Sequence, residues 1–130
     1  MIYVNSDIEF GTWSWNIPNK LVTFSPNWFL SLGYPVPNNL NQGIDTWERL
    51  IHPDDKNRVT QLLNRHLDGK TFVYQCVNRL KMKSGVYREN LDVGIVIIRN
   101  SIGDPLNMTG VDIDLSKTSF SQKELGDNTN

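Results

Sequence analysis

The apolar positions change period halfway along the chain. In residues 10–17, FGTWSWNI, Trp13, Trp15 and Ile17 alternate with Thr12, Ser14 and Asn16, the signature of a half-buried strand. PNK at 18–20 is turn chemistry, and LVTF reads as a second strand of a hairpin. Ser25-Pro26 then starts a short helix through NWFLSL, stopped by Gly33 and the prolines at 35 and 37. Residues 36–45, rich in Asn, Pro and Gly, read as loop or irregular turns. DTWERLI is a second short helix. In the third, Val59, Leu62, Leu63, His66 and Leu67 recur at helical spacing, and Gly69 stands where a helix ends.

From residue 72 the period becomes two. Phe72, Tyr74, Cys76, Leu80 and Met82 form one face of a strand that turns at Ser84-Gly85. In the next strand Leu91, Val93, Ile95 and Ile97 are expected to point into the core, with Asn90 and Asp92 outside. On the outward face this phase leaves Val73, Val77, Val96 and Ile98, an apolar patch that something is expected to cover. A turn at 100–105 leads to a last strand, LNMTGVDID. Strands, then helices, then longer strands joined by tight turns indicate an α+β domain with an antiparallel sheet and helices on one face.

Length and composition narrow the function. The 130 residues suit one domain, and 38% hydrophobic content with four tryptophans supplies a core without staples. A net charge of −1 gives no electrostatic reason to expect nucleic acid or an anionic membrane. The basic run RLKMK alternates with apolar residues and reads as the wet face of a strand. One cysteine excludes an internal disulfide and suits a reducing compartment, and no apolar run reaches the length of a membrane span. The expected location is cytoplasmic.

The densest chemistry lies in WERLIHPDD. His52, Asp54 and Asp55 are metal-ligand residue types, yet neighbours at a helix start diverge too far to share one ion. A helix start accounts for all of them. Pro53 takes the first position, Asp54 and Asp55 face the positive end of the helix, and Asp55 reaches back to a free N–H as in a capping box. No metal site is therefore expected. A small hydrolase using His52 is the remote alternative, and it lacks a nucleophile motif or a glycine-rich phosphate loop.

Six pieces in order, GTWSWNI, SPNWFLSLGY, WERLIHPDD, HLDG, Arg79 followed by KSGVYR, and GDPLNMTGVDID, resemble a PAS domain with a C-terminal PAC segment. The resemblance covers residues 10–115, leaving an N-terminal segment at 1–9. The polar tail at 116–130 is then a loose end or the start of a linker to a missing output domain, with Ser121 and Glu124 spaced as a capping box. It implies a five-stranded sheet of order 2-1-5-4-3. It also implies a non-catalytic sensory and dimerisation module of a larger bacterial signalling protein, of the histidine kinase or diguanylate cyclase (GGDEF) type. By the same resemblance the outward sheet face is covered by an N-terminal segment or a second subunit. Residues 1–9 are short for the former, so a homodimer through Val73, Val77, Val96 and Ile98 is expected. The chain departs from the family at Val77, where an acidic residue is common, at Glu89, where tryptophan is common, and in its closing DID.

The family places ligands between sheet and helices. The expected lining is Trp15, Trp28, Phe29, His66, Tyr74, Cys76, Leu91, Val93 and Ile95, with Trp13 and Trp47 nearby. So apolar a face points to a small apolar ligand, and a dicarboxylate does not suit it. Haem, for which His66 would be the ligand, and flavin, for which Cys76 would be the reactive thiol, are both not expected, because each residue has an ordinary packing role. Asp112 and Ile113, at the end of the last strand, are the expected exit for a signal. A ligand-free interaction domain with a solid core is the alternative.

Overall fold

A computed structural model describes residues 10–117; the two terminal segments discussed above, apart from Ser116 and the backbone of Lys117, lie outside them. Six strands form one antiparallel sheet: β1 (Phe10–Asn16), β2 (Leu21–Phe24), β3 (Asn41–Gly43), β4 (Tyr74–Lys81), β5 (Tyr87–Arg99) and β6 (Pro105–Asp114), in the order β3-β2-β1-β6-β5-β4. Three helices, α1 (Pro26–Ser31), α2 (Asp45–Glu48) and α3 (Lys56–Leu67), lie between β2 and β4 in the chain.

The expected five-strand order is present, extended by a sixth strand where a loop was expected. β3 pairs with β2 at the sheet edge. It has no apolar alternation to announce it, and polar side chains hold it instead. Thr23 donates to Asn41 at 2.5 Å, Asn39 accepts from the Asn41 N–H, and Gln42 donates to the Asn39 carbonyl.

The phase of β5 is the larger correction. Leu91, Val93, Ile95 and Ile97 do not face the helices. Leu91 and Val93 pack with Val77, Ile113 and Leu115 in a separate cluster, while Ile95 and Ile97 are exposed. Asn90 and Asp92, expected outside, are buried with Arg88. Val96, expected outside, packs against the main core, and Val77 is buried in the second cluster; of that patch Ile98 is exposed and Val73 is half-buried just before β4. On β4 the phase is the expected one for Tyr74, Cys76 and Leu80, but Phe72 precedes the strand and is 95% exposed.

Register explains why polar residues fill this face. Asp92 stands opposite both Cys76 and Asp112, Asn90 opposite both Asn78 and Asp114, and Gly94 opposite Gly110. The two glycines form a trough in which the Trp13 indole lies, crossing from β1 toward β5. Gly11 likewise leaves room for the backbone of Trp28, so that α1 sits close on the sheet.

The helix start at residue 52 is built differently from the expected capping box. His52 is the cap, its Nδ1 accepting the Asp54 N–H at 3.0 Å. Asp55 turns away to Arg79, accepting from its Nε at 3.1 Å, its Nη2 at 2.8 Å and its backbone N–H at 2.9 Å. This charged fork holds its carboxyl below the usual carboxylate range. Beside it Ile51 bridges Leu80, so the segment before α3 is tied along the edge of β4.

A methyl group at Gly110 would overlap the Val93 carbonyl oxygen and the Trp13 ring. Gly110→Ala is expected to destabilise the fold by about 1–3 kcal/mol through overpacking, read as a lower urea midpoint; an unchanged midpoint would mean that Trp13 does not occupy the trough.

Candidate functional site

The side chains between sheet and helices form an apolar wall around a polar centre. Phe24 stacks on Trp28 with ring centroids 3.9 Å apart, and Phe29 meets both edge-on. Two indoles, one on β1 and one on α1, turn their N–H groups toward the buried acids. Trp28 donates to Asp112 at 2.6 Å, and Trp13 donates to Asp92 at 3.2 Å. Asn90 donates to Asp112 at 3.3 Å and accepts from Arg88, whose guanidinium also donates to the Ser31 carbonyl and hydroxyl.

Asp92 and Asp112 are cross-strand neighbours with their carboxyls in hydrogen-bond contact. Burial, with the Asp112 charge beside it, pushes the Asp92 carboxyl well above the usual carboxylate range, against a smaller opposing effect of the Trp13 N–H. Asp92 is therefore held in its protonated form, in contact with Asp112. Burial, followed by the neighbouring Asp92, the Cys76 thiol and Asp112, pushes the Tyr74 phenol up, so it too stays neutral. Among the described residues the Trp15 indole N–H has no hydrogen-bond partner, and the Tyr74 hydroxyl has none beyond the Cys76 thiol beside it.

These groups surround a cavity of about 30 Å³, lined by Trp13, Trp15, Trp47, Tyr74, Asp92 and Asp112 together with aliphatic side chains. That volume holds about one water-sized group. Outside it, between α2 and α3, lies an open cleft of about 390 Å³ whose floor includes Trp47, Ile51, Val59, Leu63 and Leu67. Trp15, Trp47 and Leu63 line both spaces and form the wall between them.

The residues named from sequence are thereby divided. Trp15 and Tyr74 line the inner cavity, whereas Trp28 and Phe29 line a separate open groove with Tyr34 and Pro35. Cys76 is buried on the same sheet face, its sulfur contacted by Arg58 and Asn78. Leu91, Val93 and Ile95 are on the opposite face and line neither space. Asp112, named only as a signal exit, is at the centre, and Ile113 belongs to the second cluster. Asp92, Asn90 and Arg88 were missed. A signal for them exists: DVG at 92–94 and GVD at 110–112 are mirror images, as an antiparallel pair centred on one site requires.

His52 and His66 have structural partners. The His52 ring packs on Tyr87 with centroids 4.5 Å apart while its Nδ1 serves the cap. His66 bolts α3 to the sheet. Its Nε2 accepts the Val96 N–H at 2.9 Å, which fixes the proton on Nδ1, where it is donated to the Thr71 carbonyl at 3.1 Å. Arg99 donates to the carbonyls of His66 and Leu67 from the far side. Both ring nitrogens of His66 are thus engaged within the fold.

Burial lowers the His66 pKa, and the Arg99 charge adds to this against the opposing Thr71 bond. A histidine lowered in the fold takes up its proton more readily when unfolded, so its contribution is complete above the ordinary value of 6.5 and declines as pH falls below it. His66→Gln is expected to cost about 1–3 kcal/mol near neutrality by orphaning the Val96 N–H, and less at acid pH. Asp92 works in the opposite sense. A carboxyl raised in the fold stabilises most below its ordinary 3.8 and loses that contribution as pH rises. Asp92→Asn, isosteric with the protonated acid, should therefore gain in melting temperature over the parent as pH rises; a gap independent of pH would mean that Asp92 is ionised in the fold.

Comparison with known proteins agrees with this architecture. Among curated proteins none matches the sequence. Among solved structures, a sensory box histidine kinase/response regulator from Burkholderia thailandensis E264 superposes with a TM-score of 0.72 at 28% identity, over 82% of this chain and 77% of that one. The N-terminal domain of a diguanylate cyclase with PAS/PAC sensor from Marinobacter aquaeolei gives 0.70 at 20% identity, over 82% and 95%. A domain of a putative light and redox sensing histidine kinase from Haloarcula marismortui gives 0.67 at 18%, over 82% and 89%. At these last two identities the likeness is one of fold alone. The family model described as PAS fold matches residues 21–112, and with the sheet order and the helix placement this makes the chain a member of the PAS family.

Proposed function

We propose that the chain is a sensory and dimerisation module of a larger signalling protein, relaying the binding of a ligand or partner to an attached output domain. The observation that carries this reading is the place of Asp112. It lies near the end of the last strand, pinned on the helix side by Trp28, Asn90 and Asp92. The next residue, Ile113, packs on the other face with Val77, Leu91 and Leu115. A change at the carboxyl pair thus moves the strand through which the chain leaves the sheet, and it alters packing on both faces at once. An output domain of histidine kinase or diguanylate cyclase type is supported by the similar structures named above.

Self-association belongs to the same reading. Ile95, Ile97 and Ile98 are exposed beside the Val77–Leu91–Leu115 cluster, and a second copy could cover them. A ligand-free interaction domain is the second reading, favoured by the small size of the inner cavity.

Native mass spectrometry of the purified chain separates the two. A bound small molecule supports the sensor, whereas a bare dimer favours the interaction domain. At roughly 50 µM the parent is expected to be dimeric and Ile97→Lys monomeric with its far-ultraviolet circular dichroism spectrum retained. A parent that is monomeric at that concentration would remove self-association from the proposal.

A further inference from the structure

The inner cavity has a charge preference that the sensor reading does not specify. Among the described residues its lining contains two carboxyl groups and no lysine, arginine or histidine. An anionic group placed there would meet Asp112 with nothing to balance it, which excludes carboxylate and phosphate ligands on cost. Trp13, Trp15, Phe24, Trp47 and Tyr74 supply the aromatic walls that favour a cation.

A third polar group faces the same point. The Tyr74 side chain is 2% exposed, its hydroxyl has no hydrogen-bond partner among the described residues other than the Cys76 thiol, and Asp92 and Asp112 lie close enough to act on it. A donor with several N–H groups among the three would bond to all of them. The cavity admits a group the size of one water, which is also the size of an ammonium head. Beyond the wall of Trp15, Trp47 and Leu63, the outer cleft has an apolar floor for the rest of such a molecule, and the short α2 carrying Trp47 has no side-chain cap to fix it.

We infer that this site takes a primary alkylammonium, its head held by Asp92, Asp112 and Tyr74 and its alkyl chain lying past Trp47 in the cleft between α2 and α3. The head group replaces the proton carried by Asp92 beside Asp112. Binding is therefore an exchange: the ammonium enters, the Asp92 proton leaves to solvent, and the net charge of the site is unchanged.

This inference rests on the sensor reading, and the test distinguishes the two. The whole chain is titrated by calorimetry with n-butylammonium, with 1-butanol as the neutral isostere and with butyrate as the anion, in two buffers of different ionisation enthalpy. Butylammonium is expected to bind with release of about one proton per site, and at least tenfold more tightly than butanol. Asp92→Asn, confirmed as folded by its melting temperature, should lose about tenfold in affinity for the amine and release no proton. Butanol binding as well as the amine, or binding of butyrate, would overturn the cation preference while leaving a ligand cavity intact. No binding of any of the three would overturn the alkylammonium, the cavity then holding only water, and the mass measurement above would still decide whether the chain carries some other ligand.

Discussion

A carboxyl group taken out of water costs several kcal/mol unless its environment answers it, and here two are taken out side by side on neighbouring strands. Two like charges about 4 Å apart repel by roughly 4 kcal/mol at the effective dielectric of a protein. Keeping one proton on the pair removes that repulsion. The remaining charge on Asp112 is met by the Trp28 and Asn90 donors, and Asp92 keeps the Trp13 donor. Much of the helix-side architecture serves this arrangement. Gly94 and Gly110 are small so that Trp13 can cross to Asp92, and Gly11 is small so that α1 can bring Trp28 down to Asp112.

That constraint also explains why the sheet order was legible in the sequence and the phase of β5 was not. Turn residues and strand lengths set the hairpins, and these give the order of five strands whatever their side chains do. Which face a strand buries is decided by side-chain type only when polar residues avoid the core. In β5 the usual rule runs backwards. Arg88, Asn90 and Asp92 point under the helices because they answer one another there, while Leu91 and Val93 join a smaller cluster on the other side. The alternation had the correct period and the opposite sign. Only the pairing of DVG with GVD resolves the sign, because it sets Asp92 against Asp112 and so makes a common polar site. Aromatic lining residues on β1 and β4 were legible because their neighbours on the strand are polar. The acids were not, since an aspartate between apolar residues reads as solvent-facing until a partner is found for it.

The helix layer is attached by polar bolts of unequal strength. At the start of α3 Asp55 holds three donors of Arg79, and toward its end His66 holds the backbone of β5 and the Thr71 carbonyl. α1 is fixed through Trp28 in the core. Between them α2 is four residues long and contributes no buried residue to the core. The inner cavity meets the outer cleft beside this least-fastened element, at Trp47. Local opening costs least where few buried contacts are broken, so access to the carboxyl pair through α2 does not require the bolted ends of α3 to release.

The strand alternation then turns a local event into one felt on both sides of the sheet. Residues 112 and 113 of β6 face opposite ways, so the position of the Asp112 carboxyl and the packing of Ile113 against Val77, Leu91 and Leu115 cannot be set independently. A group that binds at the carboxyl pair transmits nothing by occupancy alone. It does so only to the extent that it favours one position of β6 over another. The Asp92 proton and an entering cation differ in size and in the number of donors they present, although they carry the same charge. The difference between them is therefore geometric, and β6 is the element whose position that geometry sets.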